Sequence, residues 1–498
     1  MIHTLYHVNA GRMKHLKYCL SLIVLISFTS RAQDILELTE SSLKDYLGEK
    51  NLNSFNTIIA QEQATVNQKE FKDQYSASAF ANATYINTNE EAFIAFQPII
   101  SPQNIVEFGV RKKIPYGLDV EASIGFDNRQ FDLGSGNENP SIATSSLNIN
   151  MNLWKNFLGK LDQANLNSFQ LQQKRADIQN KINHAQQLYT LRSMFWNLVA
   201  VNEQIKISQS MADLAKQQLN NAQSRYRQSA ADLAEVSFYR SQLASRNNAV
   251  IVYNYNKQVI VDQFKKVIPE LSQYSDIQVK DFDSQKTRSD VLQCVNFIQQ
   301  SVSVPEDQTL YSELIKVVKD FYTTQNKIHK TYDDIDINLN ANIYTRAVDP
   351  SAFDAFEESF AENRRGLMAS LNINVPLGNS KTEVNKTKLN QMMLDNEIKT
   401  LRQNFLTQFQ FVQKNASLLL QSIEQQKNNL DSLKTRSREI LKKFNQGRLS
   451  ISDYISDQDR LLQTELQLVD SQNLIIQTML DYLNIFSKSP CAFNQVSV

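Results

Sequence analysis

Two stretches of this 498-residue chain, 160–268 and 379–489, are almost free of helix-stopping residues, and each follows the same pentapeptide, Ser-Leu-Asn-Ile-Asn, at 146–150 and 370–374. The first stretch has no Gly or Pro and the second only Gly447, so each can carry long unbroken helices. In the first, Leu191, Leu198, Ile205, Ala212, Leu219 and Tyr226 recur every seven residues. Adding 218 to each number gives Phe409, Ala416, Ile423, Leu430, Ser437 and Phe444 in the second. A seven-residue period held over about five heptads imposes a supercoil on helices packed side by side. The chain reads as a duplication: strand, then very long helix, twice.

Each long helix has to reverse, and the turns stand at matching places. Tyr226, Ser229, Asp232 and Glu235 in the first copy correspond to Phe444, Gly447, Ser450 and Asp453 in the second. Gly447 suits the left-handed residue that closes a helix, and Ser229 weakens that cap. Asp232 and Ser450 are N-caps for the returning helices. Heptads resume at Val236, Leu243 and Val250, and at Tyr454, Leu461 and Leu468. Each copy is therefore a helical hairpin whose outgoing arm, 161–227, would run roughly 100 Å, a rod or a stave rather than part of a globule.

The strands alternate apolar with polar. Leu147, Ile149, Met151 and Leu153 interleave with Asn148, Asn150 and Asn152; Ile337, Leu339, Ala341 and Ile343 interleave with asparagines; and 371–377 follows suit. The first copy carries an additional alternating pair, 105–113 and 118–127, joined by Ile114-Pro115-Tyr116-Gly117. Segments of about nine to eleven residues fit a tilted strand crossing a bilayer in a closed barrel, and equally an ordinary half-buried sheet. The pattern leaves both readings open, and leaves open whether the 105–127 hairpin joins a barrel or stands outside it. Arg111-Lys112-Lys113 beside its turn reads as a solvated turn or as a contact for lipid phosphates.

The compartment favours the barrel. Met13, Lys14 and Lys17 precede an apolar run from Tyr18 to Phe28, and Ser30-Arg31-Ala32 ends in the small residues a signal peptidase reads. This pattern predicts a bacterial secretory signal over 1–32, with Met13 a possible true start; the run is too short to span a membrane as a helix. Mean hydropathy is −0.41, which excludes a helical membrane protein.

Net charge is +0, against a nucleic-acid binder that works through a broad basic surface. Beyond the signal the cysteines are Cys294 and Cys491, free to pair in an oxidising periplasm or to remain as buried thiols. His184 and His329 are far apart and read as packing or surface residues, so no metal site is expected. No phosphate loop, dinucleotide turn, nucleophile elbow or Cys-x-x-Cys pair occurs, and neither an enzyme nor a cofactor is expected.

These residues resemble the TolC-like outer-membrane efflux proteins. The carriers are the duplicated strand and helical hairpin, the turn at Phe444, Gly447, Ser450 and Asp453, and Leu-Trp-Lys-Asn-Phe-Leu-Gly at 153–159. The resemblance implies a mixed α/β membrane protein built from two internal repeats, in which a homotrimer closes a β-barrel in the outer membrane. That barrel would continue into a long α-helical barrel across the periplasm. It also implies passive conduction of substrates delivered by an inner-membrane transporter and a periplasmic adaptor. Single copies have too few strands to close, and open edges are not tolerated in lipid.

By the same resemblance, a ring of carboxylates narrows the periplasmic entrance, with Asp453 at the matching position, Glu235 its counterpart, and Asp232 and Asp457 nearby. The cap reading stands beside it, since acids at a helix start also satisfy amides and the helix dipole. Arg448 is expected to pair with an acid across the bundle. The expected domains are a signal at 1–32, a first repeat at 33–268, an equatorial linker at 269–305, a second repeat at 306–489 and a tail at 490–498. A non-conducting periplasmic coiled-coil scaffold is the competing expectation.

Overall fold

The computed structural model describes residues 35–47, 50, 52–88, 99–132, 137–280, 289–296, 309–332, 335–375, 377 and 381–484. The expected signal at 1–32 and tail at 490–498 lie outside the described residues. In chain order the elements begin with β1 (Leu36–Leu38), α1 (Leu52–Asp73), β2 (Ser78–Ile86), β3 (Ile99–Ile114), β4 (Leu118–Asp132), β5 (Asn137–Glu138) and β6 (Ser141–Asn152). The helical hairpin α2 (Lys160–Arg227) and α3 (Leu233–Val267) follows, then β7 (Ile277–Val279), α4 (Leu310–Tyr332), β8 (Asp336–Asp349), α5 (Ala352–Ser359) and β9 (Arg365–Asn374). A second hairpin, α6 (Lys381–Asn445) and α7 (Ile451–Leu483), closes the order. The ends facing each turn, Arg227 and Asn445, then Leu233 and Ile451, keep the 218-residue spacing of the heptads.

The contacts divide the chain into two units. One comprises Asn53–Tyr189, Asp290–Leu418 and Thr478–Val498. Its sheet runs in the order β2-β3-β4-β6-β8-β9 with every neighbour antiparallel, and β5 pairs with β4 beside that path. Successive side chains of a strand point to opposite faces. Register then places Asn148 opposite Asn342 and Glu121, while Leu147 lies opposite Ile343 and Ala122. One face is polar, where Asn152 Nδ2 donates to Asn338 Oδ1 at 2.9 Å and to Asp336 Oδ1 at 2.7 Å. The other is apolar and open: Leu367, Leu371 and Ile373 are exposed by 73%, 55% and 59%.

The 105–127 hairpin is inside this sheet, as β3 and β4. Both strands are longer than their alternation predicts, and β3 continues past Pro102 through a register shift between Ile100 and Gln103. Arg111 and Lys113 turn to partners in the protein. Arg111 Nε donates to Ser78 Oγ at 3.3 Å and its guanidinium lies over the Phe80 ring, while Lys113 sits 3.8 Å from Asp162 and over the Tyr75 ring. The short α5 has no counterpart in the sequence reading. Ser351 caps it by accepting from Asp354 N–H, and Phe356 packs between Phe126 and Phe360.

The junction from β6 into α2 is built on Asn156. Its Oδ1 accepts from Leu161 and Asp162 N–H at 2.9 and 3.1 Å, and its Nδ2 donates to Asp162 Oδ2 at 2.8 Å. The β3–β4 turn is bonded to this junction, with Asn152 N–H donating to Gly117 O at 2.8 Å. Beyond the sheet, the helices of this unit share a core of Ile178, Leu314, Val317, Val318, Tyr322 and Leu394, contributed by α2, α4 and α6. Cys294 is buried and disulfide-bonded; the chain's other cysteines, Cys19 and Cys491, lie outside the described residues.

The other unit comprises Met1–Leu52, Thr190–Ser289 and Leu419–Gln477. Here the apolar seams of the hairpins bury Leu191, Leu198 and Ala212 of α2 and Ile423 and Leu430 of α6, as the heptads predict. Phe195 and Trp196, both 1% exposed, meet edge to face at 5.9 Å. A parallel pair, β1 with β7, ties residues after the expected signal to the expected linker. Segments of three residues are too short for alternation to show. Among the described residues no helix is long and apolar enough to cross a membrane, which says nothing of a sheet.

Candidate functional site

The hairpin tips sit in the unit that holds Thr190–Ser289 and Leu419–Gln477. At the first, Ser229 N–H donates to Tyr226 O at 3.0 Å and Ala230 N–H to Arg225 O at 2.8 Å. At the second, Gly447 N–H donates to Phe444 O and Arg448 N–H to Lys443 O, each at 2.9 Å. Both are Schellman closures around a left-handed residue, Ser229 at φ 58° and Gly447 at φ 69°. The matching turns thus share backbone geometry although one lacks the glycine. A Cβ on Gly447 would meet nothing within 4 Å, so the penalty for an alanine there is conformational alone. Ser229→Gly is expected to stabilise the protein and Gly447→Ala to destabilise it, each by about 1–2 kcal/mol, measured as shifts in urea midpoint at constant m-value.

The returning helices start on side-chain caps. Asp232 accepts from Glu235 N–H at 2.8 Å. Ser450 Oγ accepts from Asp453 N–H at 3.1 Å and donates to Asp453 Oδ2 at 2.7 Å. Asp232 and Asp453 are both exposed at the tips. Glu235 is half-buried and held by Arg225, Nη1 to Oε1 at 2.6 Å, and Arg225 Nη2 also donates to Ala230 O. Phe444 stacks on Tyr454 at 5.2 Å, while Tyr226 is exposed.

Two expectations are revised by the geometry. Asp457, one turn beyond Asp453, is 3% exposed and faces Arg436 of α6, whose Nε lies 2.9 Å from Oδ1 without the alignment of a hydrogen bond. It is a buried charge partner within the hairpin rather than an exposed carboxylate, because α7 turns it toward α6. Arg448 forms no ion pair among the described residues; Arg225, Arg246 and Arg436 pair with acids at this end instead.

The two hairpins are tied to each other by groups the sequence reading missed. Tyr239 of α3 and Ser452 of α7 share a hydroxyl hydrogen bond of 2.6 Å, and Arg246 Nη2 meets Asp459 Oδ2 at 2.7 Å. Burial pushes the Asp459 carboxyl up, against the pull of Arg246. No single-hairpin pattern could reveal these ties, since each joins residues 213 apart.

No family model matches the sequence, and no curated protein matches it. Solved structures do match. The outer membrane protein VceC from Vibrio cholerae aligns over 89% of this chain and 94% of its own, at 11% identity and TM-score 0.60. The Campylobacter jejuni CmeC outer membrane channel aligns over 92% and 89%, at 10% identity and TM-score 0.60. CusC, whose structures follow transmembrane channel formation, aligns over 89% of each chain at 10% identity and TM-score 0.60. The chain has the fold of the TolC-like outer-membrane channels. In this fold the present chain places capped carboxylates at two hairpin tips, and opens one apolar sheet face whose outer strands, β2 and β9, have one edge each unpaired among the described residues.

Proposed function

We propose that three copies of this chain close a common β-barrel in the outer membrane and a common α-helical barrel in the periplasm. The assembly would form a passive exit duct for substrates delivered by an inner-membrane pump and a periplasmic adaptor. The observation that carries this reading is the sheet: one face apolar and exposed, the other lined with asparagine, and both outer strands, among the described residues, unpaired along one edge. In water such a face associates or aggregates, and in lipid an open edge leaves amides unsatisfied. Closure among copies resolves both.

Other features support the same placement. The disulfide at Cys294 fits an oxidising compartment, Cys491 being its proposed partner, and the secretory pattern at 1–32 would deliver the chain there. The matched tips and the constant 218-residue spacing support two repeats, 33–268 and 306–489, separated by a linker at 269–305.

The entrance is proposed at the hairpin tips, with Asp453, Glu235 and Asp232 as its carboxylates. Repeated around an axis, they would favour cations over anions. Asp453→Ala combined with Glu235→Ala is expected to lower cation preference and change single-channel current in planar bilayers. Unchanged selectivity and current would remove these residues from the constriction. Release of the unmodified protein by osmotic shock, without detergent, would instead favour the non-conducting scaffold.

A further inference from the structure

Along the continuous path of the seven-stranded sheet the first repeat contributes four strands, β2, β3, β4 and β6, with the two-residue β5 paired beside β4, where the second contributes two, β8 and β9. The additional β3–β4 hairpin behaves as wall. Its register is continuous with both neighbours, from Ser78↔Arg111 to Ile86↔Gln103 on the β2 side and from Leu118↔Met151 to Asn128↔Ser141 on the β6 side. Its face chemistry is continuous as well. Val106, Phe108 and Val110 of β3 and Val120, Ala122 and Ile124 of β4 fall on the face of Leu147 and Ile149. Phe108 and Val110 are exposed by 53% and 51%, like the apolar residues of β9. At its closed end the hairpin is fastened to the β6–α2 junction through Gly117.

We propose that the shared wall takes six strands from each copy, with β9 of one copy pairing with β2 of the next; this rests on the three-copy reading above. The sheet's neighbours reverse direction five times between β2 and β9, so these two edges run antiparallel and can continue the same up-and-down ladder. Three copies then make a barrel of eighteen strands, a size that leaves an aqueous channel (strand counts of roughly 16–18). The hairpin also decides the lining. Glu107, Arg111, Lys113, Asp119, Glu121 and Asp127 lie on the asparagine face, so the hairpin lines its part of the bore mainly with charge, where β6, β8 and β9 carry asparagines beside Asp336 and Arg346.

Cysteine cross-linking of the membrane-embedded protein, read by non-reducing gels and mass spectrometry, tests this. Ala122→Cys with Leu147→Cys, register partners on β4 and β6, is expected to form an intrachain disulfide. Ala81→Cys combined in turn with Leu367→Cys, Ala369→Cys or Leu371→Cys is expected to give an interchain ladder ending at three copies for at least one register. Ala81→Cys with Ser370→Cys, on opposite faces, should give none. A three-copy ladder together with an Ala81–Leu147 intrachain disulfide in place of Ala122–Leu147 would show the hairpin displaced from the wall, overturning the six-strand proposal while sparing the trimer. A missing ladder, or one ending at two copies, would overturn the proposal and the three-copy reading together. Excising residues 99–132 gives a second readout: lower conductance and exclusion of smaller polyethylene glycols are expected, and an unchanged bore overturns the proposal.

Discussion

Leu147→Arg is expected to abolish the proposed trimeric assembly, whereas Asn148→Arg, one residue further along β6, leaves it intact. Leu147 sits between Ile343 and Ala122 on the apolar face, near the middle of its strand. A guanidinium on the lipid side of a barrel near mid-depth costs about 2–4 kcal/mol. If three copies assemble, the penalty is incurred three times in one ring. Asn148 faces the other way, between Asn342 and Glu121, where an arginine meets a carboxylate and water. Heat-modifiable trimers on gels, extracted only with detergent, give the measurement. Equal assembly of both variants would show that the two faces do not differ in environment, and the lipid-facing assignment would fall.

That one-residue contrast was legible from sequence because alternation carries it: Leu147, Ile149 and Met151 against Asn148, Asn150 and Asn152 is a pattern of period two, and pleat geometry converts it directly into faces. The helices were legible for a similar reason. Seven-residue spacing of Leu191, Leu198 and Ile205 places them on one stripe, and all but Ile205 are fully buried. Tip geometry was legible in part. Gly447 announces a left-handed closure, but Ser229 adopts the same conformation without the residue that advertises it. What local pattern could not supply was pairing at a distance. The β1–β7 pair, the Tyr239–Ser452 and Arg246–Asp459 ties, and the turn of Asp457 toward Arg436 each depend on where a second element passes. Asp457 illustrates the limit: four residues from Asp453 on the same helix, it shares the chemistry of an entrance acid, yet packing between α6 and α7 gives it a different role.

Among the described glycines the closest backbone approaches lie where the β3–β4 turn meets the start of α2, and Gly159→Val is expected to break that docking. Gly159 has φ +75°, and a Cβ built there would stand 2.1 Å from Pro115 O. Gly117, at φ +73°, faces the reciprocal problem, with its Cβ 2.2 Å from Asn156 O. Both overlaps are with backbone, so no rotamer change can relieve them. The left-handed conformation alone costs a non-glycine residue about 1–2 kcal/mol, and forcing extra carbons into a packed site adds roughly 1–3 kcal/mol. Relief requires the turn to move off the junction, which strips Asn152 N–H of its bond to Gly117 O and disturbs the Asn156 cap on α2. Gly159→Val should therefore destabilise by about 2–5 kcal/mol and raise hydrogen exchange at Asn152, Leu161 and Asp162, while Gly447→Ala, at an open tip, leaves those amides protected. Exchange that rises equally in both variants would mean the two glycines report only general loosening. A rise confined to Gly159→Val would make the docked turn the element that fixes where strand ends and long helix begins.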